Sequence, residues 1–450
     1  MTNKIKRYLI EIENTSPLKM GNGKEGIEGI TQWENRAVIH GTSIAGVFRD
    51  FLMKNKKSAD RIDLIFPEYK DSKEKNKRIS PLYFYDTYSN EQLNDKDFIC
   101  RPHIKINRKR GTVEDKQLLR EYHIKEGQKF KLILELKGIH LKDDEYNVID
   151  QSVKEFINAL GAGNILLGSH TTFGFGAFRG EQYFEKEYYL FNEKDLNEYL
   201  EEYLDEDSTL YEKLSQGSGS GIKIKKEDTD KITIRFKAKC KDGLMIKGKE
   251  EKEGYKTSYQ EEKGFIIPSS TIKGIVRSYS EKIYETLGKC VDELDDVYGV
   301  MLKDPDQELK SKIEAKKGKL IFSDCKINYD EKKGLAVYNR IAIDRFTGGV
   351  KDGSVFSEKV VIPNEALEFR VTMHENAKKA IPLLILTFRD MGFGYLTIGS
   401  GNNVGYGRLR GESIEIEEPH GKIYKVDFKD GVLEGQTEKF QEYIKLLHEK

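Results

Sequence analysis

YNRIAIDRFTGGVKDGSVFSEKVVIP (338–363) repeats, in altered form, an earlier stretch of the chain, PHIKINRKRGTVEDKQLLREYHI (102–124). Setting Asn107-Arg108 beneath Asp344-Arg345 brings Gly111 under Gly348, Leu119 under Phe356 and Glu121 under Glu358 at one offset of 237. Similar offsets hold on both sides. GTSIAGVFR (41–49) lies under SSTIKGIVR (269–277) at 228, PLYFYD (81–86) under KLIFSD (319–324) at 238, and LGSHTTFGFGAFRG (167–180) under IGSGNNVGYGRLRG (398–411) at 231. A repeat this long exceeds the periods of solenoids and propellers, so it implies two copies of one whole domain.

The 450 residues have room for two to three domains with cores of their own, and the duplication requires two. Net charge is zero with 34% of residues charged, so composition neither favours nor excludes a polyanionic partner, and local clusters must decide. Cys100, Cys240, Cys290 and Cys325 are scattered, with no C-x-x-C pair and no histidine at zinc spacing, which reads as free thiols in a reducing compartment. No apolar run is long enough for a signal segment or a membrane span. The expectation is a cytoplasmic protein with no membrane partner.

KRYLIEIEN (6–14) alternates like a strand and leads into a Gly- and Glu-rich loop (18–37) that carries the only tryptophan, Trp33. A helix follows, capped by Thr42 or Ser43, with Ile44, Val47, Phe48, Phe51 and Leu52 on one face. Segment 54–78 is Lys-rich and reads as irregular. LYFYD (82–86) and FKLILEL (130–136) read as strands, SVKEFINAL (152–160) as a helix, and Phe173 to Phe178 as the closing strand. The order predicts an α+β fold, two tandem ferredoxin-like (RRM-like) domains, each with a long inserted hairpin. The expected boundaries are 1–183 for the first domain, 184–230 for an acidic helical segment ending in the tether QGSGSG (216–221), 231–412 for the second domain, and 413–450 for a C-terminal extension. In the second domain Pro382 sets or distorts the first turn of the helix near 376–391.

Three groups of residues carry chemistry. The glycine-rich segments place a short polar loop, with His170 in one copy and Asn402 and Asn403 in the other, before G-x-G and a closing arginine, Arg179 or Arg410. Glycines let a backbone approach phosphates closely, although a tight turn into a strand would also use them. The helix starts offer Ser43 and Ser270, with Lys273 close by and Arg49 or Arg277 two turns on, a frame suited to an anion as well as to simple capping. Arg101, His103, Lys105, Arg108, Lys109 and Arg110 form a basic cluster that Arg340, Arg345 and Lys351 partly repeat. Beside Phe346 and Phe356 such charge suits single-stranded nucleic acid, and a solvated charged face is the plain alternative.

Taken together, FIIPSSTIKGIVR, RIAIDRFTGGVKDGSVFSEKV and LTIGSGNNVGYGRLRG resemble the signature stretches of the RAMP superfamily, specifically the backbone subunits of type III CRISPR effector complexes. The resemblance is close across 231–411 and collinear but weaker across 6–180, as in a tandem fusion of two such units. It implies a modified RRM-like core that binds the backbone of a guide RNA (crRNA) and a thumb hairpin within 102–124 and 340–360. It also implies other CRISPR effector subunits as partners, together with a complementary target RNA. Active members cut that target with an acidic residue between strand 1 and helix 1 and a divalent metal, Mg or Mn.

Here the sequence departs from the family. Glu28 falls nearest the catalytic and metal-binding position in copy one, with Glu25 and Glu34 as rivals, and His40 replaces the proline. Copy two offers Thr257 or Ser258 among glutamates, and Asn107 replaces the aspartate kept as Asp344. Three readings follow: a guide-binding scaffold with metal-dependent target cleavage, a metal-independent guide-processing endoribonuclease using histidine, and an inactive structural subunit. The pattern GFGAFRG is not a dinucleotide fingerprint, because a strand rather than a helix follows it.

Overall fold

Alternation along β1 (Lys4–Asn14) buries Tyr8, Ile10 and Ile12 on one face and turns Arg7 and Leu9 to the other. The computed structural model of which β1 is part describes residues 2–24, 26–54, 59–67, 79–107, 112–203, 221–225, 231–240, 242–250, 255–261, 264–300 and 316–448. Its chain divides into unit 1 (Met1–Arg101, Leu119–Thr171, Phe175–Glu227) and unit 2 (Pro102–Leu118, Thr172–Gly174, Asp228–Lys450).

In unit 1, β1 lies between β8 (Lys129–Lys137) and β10 (Gln182–Tyr189), antiparallel to both, and β4 (Leu82–Phe84) pairs the far side of β8. Helix α1 (Gly41–Lys54) joins β1 towards β4, and α3 (Asp143–Gly161) follows β8. The sheet order β10-β1-β8-β4 with these two crossovers is the ferredoxin-like arrangement. The short strand β11 (Ile222–Lys223) extends the β10 edge, and β9 (Phe178–Arg179) pairs with the end of β1. Phe48 of α1 meets Phe156 of α3 edge to face at 4.8 Å, and each buried ring is worth about 2 kcal/mol. A smaller sheet runs β2 (Gln32–Trp33), β3 (Arg36–Ile39), β5 (Thr87–Tyr88), and β6 (Phe98–Asn107) pairs with β7 (Thr112–Ile124) as the inserted hairpin, whose outer part, Pro102–Leu118, is counted with unit 2.

Unit 2 repeats the plan. β12 (Lys231–Cys240) lies between β23 (Leu367–His374) and β24 (Leu409–Glu417), and β19 (Leu320–Phe322) pairs β23. The helices are α5 (Ser269–Thr286) and α7 (Ile381–Gly392). β15 (Gln260–Glu261), β16 (Gly264–Ile267) and β20 (Cys325–Lys326) form the counterpart of the small sheet. The finger strands β21 (Leu335–Arg340) and β22 (Phe356–Val361) join β13 (Lys247–Glu250) and β14 (Tyr255–Ser258) in a four-stranded sheet, in which β14 runs parallel to β22. The short strands β17 (Gly299–Val300) and β18 (Lys316–Lys317) pair after the single-turn helix α6 (Asp295–Tyr298).

Several expectations change. Phe173 to Ala177 is a turn rather than the closing strand: Gly174 and Gly176 have φ of 73° and 74°, a backbone no strand adopts, and strand pairing begins only at Phe178 in β9 and continues in β10. α3 begins nine residues before Ser152, because Glu145 closes a capping box with the Lys142 amide. Segment 54–78 contains a helix, α2 (Ala59–Ile65). Pro382 sits in the first turn of α7, where its missing N–H costs nothing. The chain after β24 adds β25 (Ile423–Lys429), β26 (Val432–Gly435) and α8 (Thr437–Lys445), and Phe440, Tyr443 and Leu447 enter the unit 2 core.

The outer sheet faces differ between units. In unit 1, α4 (Glu193–Tyr203) lies over a buried pair, Arg7 Nε to Glu135 Oε2 at 2.8 Å, with Tyr199 donating to Glu135 at 3.2 Å and stacked against the guanidinium. In unit 2 the outward residues of β12 are tied in ion pairs, Arg235 to Glu417, Lys237 to Glu368 at 3.6 Å and Lys239 to Glu412 at 2.6 Å. Residues 216–220 of the expected tether, and Glu25, Arg108, Lys109 and Arg110, lie outside the described residues.

Candidate nucleic-acid interface

The two glycine-rich turns are built alike, bond for bond. Leu167 N–H donates to Gly176 O at 2.9 Å and Ile398 N–H to Gly407 O at 3.0 Å. Ser169 and Ser400 send their amides to Lys19 O and Met245 O at 2.9 and 2.7 Å, and their hydroxyls to the same oxygens at 3.1 and 3.2 Å. Gly176 and Gly407 donate to Pro17 O and Gly243 O, both at 2.9 Å. Each turn is therefore fastened to the end of the first strand through amides on its flanks. In unit 2 the crest is exposed at Asn402 and Asn403, whereas Thr172 and Phe173 of the first turn are half-buried. Of the closing arginines, Arg179 is exposed 3.8 Å from Glu13, and Arg410 is exposed on β24.

Both helix starts are capped by a carboxylate from the neighbouring strand end. Gly41 N–H donates to Asp86 Oδ1 and Ser269 N–H to Asp324 Oδ1, each at 2.7 Å. Asp86 also holds His40 Nδ1 at 3.1 Å; partial burial works to raise its carboxyl, and these two bonds outweigh it and bring it down. An anion arriving there meets an existing negative charge, so the first amide is not the free donor that the sequence suggests. Ser43 and Ser270 are half-buried in the first turn, and Arg49 is exposed. Arg277 is committed within unit 2, to Asp295 at 2.8 Å, Glu281 at 3.2 Å and Gly299 O at 2.9 Å. Lys273 is different. Its Nζ reaches Thr172 Oγ1 at 3.3 Å and lies 5.1 Å from the Phe173 ring, and among the described residues no carboxylate pairs with it. Burial, with Arg277 adding to it, pushes the ammonium down to about 8.

The finger roots show one device with two chemistries. In unit 2, Arg340 Nε donates to Glu358 at 2.8 Å and its guanidinium also bonds Tyr406 of the glycine turn. In unit 1 the matching glutamate, Glu121, takes His170 Nε2 at 2.9 Å and Lys19 Nζ at 3.1 Å, while Arg101 lies over Phe175, the counterpart of Tyr406. Burial would raise the Glu121 carboxyl, but His170 and Lys19 outweigh it and hold it at about 2. That pairing stabilises the fold above the ordinary carboxylate range and is lost as pH falls through about 2. His170, at φ 60°, occupies the left-handed position that Gly401 fills in the other copy. His103 stacks on Phe173 at 6.1 Å. At the far end of the second finger, Asp344 accepts the amides of Phe346 and Thr347, both at 2.9 Å, shaping a tip on which Arg345 and Phe346 are exposed.

His123, one of the copy-one histidines (with His40, His103 and His170) open to the guide-processing reading, is fully buried. Its ring packs 4.9 Å from Phe175, and neither nitrogen has a hydrogen-bond partner among the described residues. Burial, with the charges of His170, Arg101 and Lys19 adding and Glu121 opposing, pushes it down to about 2. The unfolded chain binds this proton below about pH 6.5 and the folded one does not, so stability falls as pH falls through that window. Between pH 7 and pH 5 the native chain should lose about 2 kcal/mol more than His123→Phe, as read by urea titration.

Among the described residues the loop carboxylates Glu28 and Glu34 do not gather into a metal site. Glu28 is exposed in a single 3-10 turn, and Glu34 sits at the tip of the β2–β3 hairpin. Among the described residues neither belongs to a group of three side chains able to share an ion. In the second copy Ser258 is buried and donates to Leu244 O at 3.0 Å, inside the sheet that carries the finger. These residues do not fit a resident divalent cation.

Two ferredoxin-like units, each with a fastened glycine turn, define a tandem protein of α+β type. The family model of the RAMP superfamily matches residues 11–179 and again 217–410, and the chain belongs to that superfamily of CRISPR-associated RNA-binding proteins. No curated protein matches the chain. No helix among the described residues is long and apolar enough to cross a membrane.

Proposed function

We propose that this protein is a backbone subunit of a type III CRISPR effector complex in the cytoplasm. It grips the sugar–phosphate chain of a guide crRNA and presents its bases to complementary target RNA, beside other effector subunits. The observation that supports this best is Lys273, a half-buried ammonium that no carboxylate pairs with among the described residues. Burying an unpaired cation is costly, and a phosphate oxygen would supply the missing partner. Thr172 and Phe173 beside it, with the exposed crest at Asn402 and Asn403, offer a hydroxyl, a ring and amides to the same strand.

The test is to bind single-stranded RNA to the full chain across a salt series, then supply complementary RNA with magnesium or manganese. Affinity should fall steeply with salt, and target of unchanged length marks a scaffold. Binding indifferent to salt would overturn the reading. Shortening of the target that disappears in Glu28→Ala would instead establish metal-dependent cleavage through that residue.

A further inference from the structure

The small sheets of the two units share one topology and register but not one surface. In unit 1, Trp33 pairs with Arg36 and Val38 with Tyr88 across β2-β3-β5. Strand alternation therefore puts Trp33, Arg36, Val38 and Tyr88 on one face, while Ala37, Ile39 and Thr87 are buried on the other. Trp33, the only tryptophan, is 63% exposed and Tyr88 40%, whereas Val38 is buried. In unit 2 the same positions of β15-β16-β20 hold Glu261, Gly264, Ile266 and Lys326. The scaffold forms there with neither ring, so the sheet does not need them in order to fold.

The platform is also held rigidly without help from its rings. The turn residues Glu34 and Asn35 have φ of 49° and 62°, as a tight two-residue hairpin requires. Leu93 N–H donates to Asn35 O at 2.6 Å, Ser89 N–H to Ala37 O at 2.9 Å and Thr31 N–H to Met20 O at 2.8 Å. An indole left in water forgoes the energy of burial, and a rigid mount lowers the entropy lost when something covers it.

We propose that Trp33, Arg36 and Tyr88 form a stacking platform for unpaired bases of single-stranded RNA, with Arg36, on the strand between the two rings' strands, serving the phosphate. This rests on the RNA-binding reading above. Every base has a flat face, so stacking on two rings tolerates any sequence. A protein partner would call for a surrounding apolar patch that sheds water, and here Val38, the aliphatic residue on the same face, is buried while the exposed Glu34 and Asn35 at the hairpin tip are polar.

The experiment follows the emission of the single tryptophan in the full chain as unlabelled single-stranded RNA of mixed sequence is added. Anisotropy of a labelled copy reports binding separately. Emission should fall to a plateau at the concentrations where anisotropy saturates. An RNA of abasic residues should bind without that change. Trp33→Ala should weaken binding of the base-bearing RNA about 5- to 100-fold, with Trp33→Phe losing less and abasic RNA bound equally by all three. Unchanged thermal midpoints, expected because unit 2 builds the same sheet with Glu261, show that the variants fold. Saturating anisotropy with constant emission overturns the platform and leaves the RNA-binding reading standing. Absence of any anisotropy change overturns both. Emission that shifts with protein concentration alone identifies a protein contact and overturns the platform.

Discussion

Alanine at Gly407 should destabilise unit 2 by about 3–5 kcal/mol, whereas alanine at Gly405, two residues earlier in the same turn, should cost about 1–2 kcal/mol. Both glycines are left-handed, with φ of 71° and 94°. They differ in space. A Cβ on Gly407 would lie 1.9 Å from Ile398 O, a backbone atom of the residue whose amide bonds Gly407 O, while a Cβ on Gly405 meets nothing within 4 Å. Gly176 repeats the collision in unit 1, 1.7 Å from Leu167 O, so Gly176→Ala should match Gly407→Ala. Denaturant titration of the three variants decides it, and equal costs at Gly405 and Gly407 would remove the steric argument.

Lys273→Met should move stability and binding in opposite directions. The unfolded chain keeps this proton to about pH 10.5 and the folded chain to about 8, so the native protein carries a charge it would be more stable without at neutral pH. Removing the charge should stabilise the free protein by about 1–2 kcal/mol and erase the rise in stability expected of the wild type across that pH window. RNA affinity should fall about tenfold and its salt dependence should shrink by roughly one ion. A variant that is less stable and binds RNA normally would show that Lys273 serves packing alone.

The duplication, the two strand–helix crossovers and the glycine turns were legible in the sequence because each depends on local residue type repeated at near-constant spacing. Arg340 and Arg277 illustrate what was not. As isolated cations both suggest RNA, yet Glu358 lies across the finger from one and Asp295 beyond the end of the helix from the other, partners that only the folded chain brings near. The helix caps show the same limit: Asp86 and Asp324 stand at matching places in PLYFYD and KLIFSD, but their acceptance of the Gly41 and Ser269 amides is a tertiary fact. The Phe173 to Phe178 stretch misled for a local reason, since aromatics favour strands and two left-handed glycines overrode them. Lys105 and Arg108 remain proposals at the first finger.

The lid that α4 places over Arg7 and Glu135, and the ion-paired skin on β12, deny a polynucleotide the flat palette of the pleated layer on which it could be read letter by letter. On the proposed function, contacts to the sugar–phosphate chain in place of base edges would let one molecule be reloaded with any message.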